Sequence, residues 1–495
     1  MSGLALLGLV MLIVMIGAIF IGFPISFTLL FLALAFGYFG LGHIVFDLAY
    51  FQMIGLMKEE LLAAVPLFIF MGFIVEQAGL MERLFTAFRL LLAPVRGALY
   101  LVVILTAAVF AMATGIVGAA VTVLGIMASP IMIKTGYDAK LAAGTITAGG
   151  TLGILIPPSV MLIVMGPVLG VSVADLYAAA FGPGFLLAGL YLAYLLGRSF
   201  VNPKLGPPVP KEDRVTSIPL ILKECALGIL PLGGLIAATL GTILVGLATP
   251  TEASGMGATG AIILAIAYRR FTLAGLKRAL LSTMATSSMV LLLATTSNIF
   301  GAVFARLGTA NWITESMLAL PLPPFAMLIL IIVLIFLLGW PFEWPAIILV
   351  FLPIFYPVVA ALKFDLIWFG ALVAVVLQTA FLSPPVAMSA YYLKQVVKDW
   401  SLATIYKGML EFMMLQIIAI ALIIAFPAIA TAFPEYLQRV ARETPVEQVE
   451  DKVRLEDYVS DPYFEQSQEA GEERLEEEQN DALEKRDEPP AGAAK

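Results

Sequence analysis

Two runs in this chain have the residue types and spacing needed to hold a small cation and an anion inside an apolar protein. The first reads Gly149-Gly150-Thr151-Leu152-Gly153-Ile154-Leu155-Ile156-Pro157-Pro158-Ser159, and the second Gln378-Thr379-Ala380-Phe381-Leu382-Ser383-Pro384-Pro385. Each lies within an apolar stretch long enough to span a membrane, and each interrupts it with a double proline. A proline removes one backbone donor and collides with the preceding turn, at about 3 kcal/mol or more inside a helix. Carbonyls freed in this way persist at membrane depth only where they line a protein or water cavity. Unwound carbonyls with Thr and Ser hydroxyls are hard oxygen donors suited to Na+, and the start of a half-helix offers free N–H groups to a carboxylate. Two such breaks at matching places in two halves are the pattern of a secondary-transport site.

Two more apolar stretches, 97–133 and 323–355, complete the constellation as re-entrant hairpins. The tip Ala113-Thr114-Gly115-Ile116-Val117-Gly118 has no charge, which is odd for a loop meeting water, and Gly339-Trp340-Pro341-Phe342-Glu343-Trp344-Pro345 breaks a helix with two prolines and one acid. The candidate binding residues are therefore Thr114, Gly115, Gly149, Gly150, Thr151, Pro157 and Pro158 from the first half. From the second half they are Gly339, Glu343, Thr379, Ser383, Pro384 and Pro385. Oxygens for Na+ are expected from Thr114, Gly115, Thr151, Gly339, Thr379 and Ser383. An acid inside an apolar hairpin is a functional candidate by default, so Glu343 is open to three roles: binding a cation, carrying a proton or capping a broken helix. Gly118, Gly125, Gly144, Thr145 and Thr147 read instead as positions that let helices pack closely. Thr251 is expected to cap a helix with Glu252 in its first turn, a structural role. Asn298 and Arg306 are open between facing substrate and, for Arg306, anchoring a helix end; Trp340 and Trp344 read as packing the hairpin.

The elements that must position these residues follow from composition. Of 495 residues, 61% are hydrophobic and 13% charged, and apolar runs near the length needed to cross a bilayer recur throughout. The expected fold is an all-α polytopic membrane protein with ten spans, at about 4–21, 24–41, 62–79, 141–170, 175–197, 224–247, 256–268, 279–305, 366–393 and 408–432. One cysteine (Cys225) and one histidine (His43) leave no material for disulfides, zinc, haem or iron–sulfur clusters, and no Walker glycine loop is present. No cofactor is expected beyond Na+ as coupling ion. Paired acids or a Ser–His pair at membrane depth are lacking, so an intramembrane enzyme is not expected.

The order of elements in 1–200 repeats in 220–434: two spans, a short helix, a span, a hairpin, a broken span and a span. The linker 201–219 is rich in proline and charge and divides the halves. Pro130 pairs with Pro353, and Pro157-Pro158 with Pro384-Pro385. The two short linking helices are expected at about 43–60 and 269–281. Basic residues cluster at both ends of the first hairpin, in the linker, at 269–278 and at 394–407, which places these segments in the cytoplasm and both termini outside it. The halves are thus an inverted-topology repeat with the hairpins entering from opposite faces. The segment 435–495 holds 19 acidic and 8 basic residues; its net of −11 against −7 for the whole chain leaves the membrane body at +4. This tail is expected to be a disordered, solvating extension.

These blocks, in this order, resemble the large membrane (M) subunit of the tripartite ATP-independent periplasmic (TRAP) transporters. The resemblance covers nearly all of 1–434 and is carried by the first hairpin tip, Lys134-Thr135-Gly136-Tyr137-Asp138, both Pro-Pro breaks and Ala248-Thr249-Pro250-Thr251-Glu252-Ala253. It implies a Na+-driven importer of organic acids in which hairpins and broken helices slide as an elevator against a scaffold. It also implies two partners, a small four-helix membrane (Q) subunit and a soluble periplasmic substrate-binding (P) protein. Thr114-Gly115-Ile116 stands where many members carry Ser-Gly-Ser, and Glu343 where Asp is frequent. With Val171-Ser172-Val173-Ala174-Asp175-Leu176-Tyr177, the Thr-Gly-Ile tip resembles the subgroup associated with 2-oxo acids, other monocarboxylates and some polyols. The alternative is a stand-alone Na+–carboxylate symporter of related architecture, which needs no Q subunit.

Overall fold

The computed structural model describes residues 3–114, 117–208, 217–384 and 387–443; of the Ala111, Ala113, Thr114, Ala441 and Glu443 side chains nothing is said. Every regular element among the described residues is helical. The chain runs α1 (Gly3–Ile21), α2 (Ile25–Leu41), α3 (Ile44–Met57), a short 3-10 turn, α4 (Ala64–Gln77), α5 (Leu80–Leu92), α6 (Ala98–Thr114), α7 (Val117–Lys134), α8 (Ala139–Thr151), α9 (Val160–Leu169) and α10 (Val173–Val201). It continues with α11 (Ile218–Leu244), α12 (Pro250–Ala267), α13 (Leu273–Arg306), α14 (Thr309–Leu318), α15 (Pro324–Leu338), α16 (Trp344–Ala361), α17 (Leu366–Leu382), α18 (Met388–Val396), α19 (Leu402–Ala425) and α20 (Ala428–Glu443). Residues through Leu437 form one compact unit, and Gln438 onward is assigned to a second.

Among the described residues, eight helices are long and apolar enough to cross a membrane, α7 and α16 among them. Those two are limbs of the expected hairpins, so length and hydropathy alone do not separate a limb from a span. Of the other expected spans, 24–41 is the shorter helix α2, 256–268 lies in the 18-residue α12, and two are split: 141–170 into α8 and α9, and 366–393 into α17 and α18. Apolar side chains such as Phe27, Phe31 and Phe39 on α2 stand outward, as a surface that meets lipid requires.

Several expectations need correction. The second short linking helix, 269–281, is not a separate element, because nothing interrupts the backbone between Leu273 and Arg306 and one 34-residue helix forms. The second hairpin extends past 355 to Ala361: Pro353 is accommodated inside the helix just after a π-helical turn at Ile347–Phe351. The helix before 256 is capped by Thr249, not Thr251. Thr249 and Glu252 form a reciprocal capping box, while the Thr251 hydroxyl donates to the Glu60 carbonyl at 3.1 Å. The acidic tail does not begin as an unstructured segment, because α20 runs to Glu443; residues beyond lie outside the described structure.

Two sets of helices pack closely within themselves and are joined where α4 meets α6 and α13 meets α16. In one, α4 packs on α12 and α13, and α13 also packs on α2 and α3. In the other, α8 packs on α6, α7 and α19, and α17 packs on α10, α15 and α19. At the crossing of α8 and α19, Gly144 and Gly408 meet so closely that a Cβ on Gly408 would sit 2.1 Å from the Lys140 carbonyl oxygen.

Candidate functional site

Each broken helix packs against both hairpins. The first break, with its flanking α8, lies on α6 and α7, while α9 beyond it packs on α16. The second broken helix packs its α17 limb on α15 and its α18 limb on α7. The two breaks are therefore set among the limbs of both hairpins.

At the first break α8 ends at Thr151, a 3-10 turn covers Leu152–Ile154, and α9 starts at Val160. The Pro157–Pro158 bond is cis. One carbonyl that the prolines release finds a donor, Ser159 Oγ donating to Ile154 O at 2.5 Å; the Ser159 carbonyl accepts both the Ile163 N–H at 3.2 Å and Tyr177 Oη at 3.4 Å. Thr151 Oγ1 donates to Ala148 O at 2.8 Å, so its lone pairs remain for a ligand. Gly149, Gly150, Thr151, Pro157 and Pro158 are all buried. Gly150 has a packing role as well, since a Cβ there would fall 3.0 Å from the Val121 backbone nitrogen.

At the second break α17 ends at Leu382, and Ala387 sits in the left-handed region with φ 33° before α18. Thr379 Oγ1 donates to Val376 O at 2.6 Å. Ser383 is 2% exposed and its hydroxyl has no hydrogen-bond partner. Neither end of the fully buried Gln378 amide has one either. A buried amide with neither end paired costs about 1–3 kcal/mol unless something else satisfies it. Pro384 is half-buried, and Pro385 lies outside the described residues.

The second hairpin tip lies wholly within the described residues and the first only in part. Gly115 lies outside the described residues, and Thr114 is placed only as the last residue of α6. Gly339 is buried against Ala380 of α17, where a Cβ would come within 2.9 Å of the alanine methyl. Glu343 is at the start of α16, but its side chain caps nothing; its carbonyl takes the Ala346 N–H at 3.1 Å. The capping role is thereby removed. Its carboxylate is close enough to the Tyr392 phenol to act on it electrostatically, and the Tyr392 ring covers Gly118, 3.0 Å from where a Cβ would sit. Tyr392 on α18 thus packs on the first hairpin within electrostatic range of Glu343 on the second. Asn298 lines a cavity of about 600 Å3 between α3, α9, α13 and α16 and donates to Gln52 O at 3.3 Å; Arg306 is exposed at the end of α13.

Sequence reasoning passed over three sets of residues. Gln378 was part of a motif without being singled out. Lys140, Tyr194, Arg198 and Glu411 form one polar cluster joining α8, α10 and α19: Lys140 pairs with Glu411, Tyr194 Oη donates to Glu411 Oε2 at 2.7 Å, and Arg198 reaches the same carboxylate at 3.6 Å. Glu411, an acid in an apolar helix, was the available signal. Tyr191, fully buried, faces Gln416 and Thr151 without a closed hydrogen bond. Motif residues also have plain structural duties. Gly136 turns at φ 73°, Asp138 caps α8 through Leu141 N at 2.8 Å, and the Tyr137 phenol, pushed by burial up to about 12, accepts from Leu99 N.

An all-helical body with spanning helices, and with two broken helices set between helical hairpins, is that of an integral-membrane permease. The chain belongs to the tripartite ATP-independent periplasmic transporter family as a DctM component, the family model matching residues 10–429. It is 29% identical over 456 residues to the C4-dicarboxylate TRAP transporter large permease protein DctM of Rhodobacter capsulatus, covering 88% of this chain and all of that one. It is 30% identical over 426 residues to the sialic acid TRAP transporter large permease protein SiaM of Vibrio cholerae, covering 85% and 96%. The YdaH transporter of Alcanivorax borkumensis shares the fold, with a TM-score of 0.57 at 17% identity over 80% of this chain and 90% of that one. The relatives are permease subunits, so this chain is a multi-pass large permease subunit and not an enzyme.

Proposed function

We propose that this subunit imports a small organic acid by coupling it to Na+, with substrate delivered by a periplasmic binding protein and with a small four-helix membrane subunit as its fixed companion. The observation that carries the reading is the second break, where the buried Gln378 amide and Ser383 hydroxyl have no protein partner beside a helix that ends in mid-protein. Oxygens in that state suit a hard cation. Thr114, Gly115, Thr151, Gly339, Thr379 and Ser383 are the proposed Na+ donors, and Gly149, Gly150, Glu343 and the four break prolines shape the same pocket. Half-helix N-termini at the breaks suit the carboxylate of the substrate.

The support for elevator movement is the cavity of about 600 Å3 between α3 and α13 on one side and α9 and α16 on the hairpin side. The inverted repeat, 1–200 against 220–434, supplies two mirrored end states. Ion binding favours one of them only through a difference in affinity between the two. Relatives are named for C4-dicarboxylates, sialic acid and isethionate, all organic acids. Within that class we favour 2-oxo acids and other monocarboxylates, on the Thr114-Gly115-Ile116 tip and the Val171–Tyr177 block. The positive-inside pattern puts both termini outside the cytoplasm, in the inner membrane.

The test is uptake of labelled organic acids into proteoliposomes holding this chain with its small partner, varying the binding protein and an inward Na+ gradient. Uptake that requires both is the expected result. Uptake that needs Na+ and no binding protein would assign the chain to stand-alone symport, and Na+-independent uptake would remove the ion assignment.

A further inference from the structure

The family model ends at residue 429, whereas α20 continues to Glu443. This helix begins immediately after the last span. Leu402–Ala425 closes with the Phe426 N–H on Leu422 O at 2.8 Å; Phe426 leaves the helical region at φ −128°, ψ 78°, as the proline after it requires, and Pro427 redirects the chain. A helix that starts there starts at the membrane boundary.

Its sequence, AIATAFPEYLQRVARE, is sharply two-faced. At 100° per residue, Ile429, Phe433, Tyr436, Leu437 and Val440 fall on one arc, while Thr431, Glu435, Gln438, Arg439 and Arg442 fall on the opposite one. The first turns are seated on α10. The Ile429 carbonyl lies 1.7 Å from where a Cβ on Gly182 would be, and the Phe433 ring meets Phe181 edge-on at 5.6 Å. Beyond that seat the apolar stripe runs on, with Tyr436 58% and Val440 41% exposed.

We infer that α20 lies in the plane of the bilayer surface, with Tyr436 and Val440 immersed among the lipid headgroups and acyl ends and with Arg439 and Arg442 toward the lipid phosphates. Lipid is the occupant favoured by three observations. The helix follows a span with only Phe426 and Pro427 between, its apolar stripe stays exposed beyond the α10 seat, and it combines an aromatic with basic residues as interfacial helices do.

Because Cys225 is the chain's single cysteine, a Cys225→Ala background accepts one reporter at a time. Cysteines at Glu435, Tyr436, Arg439 and Val440 would be labelled with bimane and the protein reconstituted in phosphatidylcholine–phosphatidylglycerol vesicles. Labels at 436 and 440 are expected to be quenched about threefold more by shallow doxyl lipids than those at 435 and 439, with iodide giving the reverse order. A 436 label as open to iodide as the 435 label would overturn the proposal and put the helix in water. A 436 label closed to both quenchers would also overturn it, because protein would then cover the stripe. The readout does not depend on transport.

Discussion

The two broken helices share a Pro-Pro interruption yet differ in how their polar atoms are satisfied. At the first, the chain answers its own needs: Ser159 bonds to Ile154, Tyr177 to Ser159 and Thr151 to Ala148. At the second, Thr379 bonds to Val376 while Gln378 and Ser383, both buried, are left without partners. The first break pairs the hydroxyls of Ser159, Tyr177 and Thr151 with its own carbonyls. The second is complete only when something else supplies the missing bonds, which makes it the more responsive half of the site.

That contrast can be broken at several points. The largest effect is expected from Gly408→Val, which strikes the frame that carries the first break. Its Cβ would meet the Lys140 backbone at 2.1 Å, and no rotamer relieves a clash with backbone. No folded, monodisperse protein should be recovered on size-exclusion in detergent; a normal profile would show that α8 and α19 can separate freely.

Gln378→Leu should separate stability from function. Removing an unsatisfied amide is expected to raise the melting temperature without Na+, while the shift that Na+ produces falls by roughly tenfold or more in apparent affinity. A lower melting temperature in the absence of Na+ would mean that the amide is satisfied within the protein, and the asymmetry between the breaks would be lost. Thr151→Val keeps the volume and removes one oxygen; it should raise the Na+ concentration for half-maximal uptake by about threefold to tenfold, at about 1 kcal/mol. An unchanged value would take Thr151 out of the ion site.

The smallest effect is expected at the self-sufficient break. Ser159→Ala loses one hydrogen bond, worth about 1 kcal/mol, and should lower the melting temperature by a few degrees with the Na+ dependence unaltered. A changed Na+ affinity there would bring Ser159 into the ion site.

Much of this architecture was readable along the chain. Hydropathy located nearly every helix, and the prolines at 157–158 and 384–385 marked where two of them stop, because helix capping and proline sterics act within a few residues. Errors arose where neighbouring elements decide. The fusion of a linking helix into Leu273–Arg306 and the choice of Thr249 over Thr251 as cap are of this kind.

Composition, spacing and proline placement by themselves determined a polytopic helical protein with two interrupted helices and the short list of hydroxyls, glycines and one acid beside them. Only the tertiary structure decided which polar atoms are already paired. Gly144 is a contact with Gly408, the Tyr392 ring covers Gly118, and the Gln378 amide finds no partner. The reason is physical: a helix or its break is set by neighbours a turn away, whereas the partner of a buried amide or the space beside a glycine comes from segments hundreds of residues distant that only folding brings together.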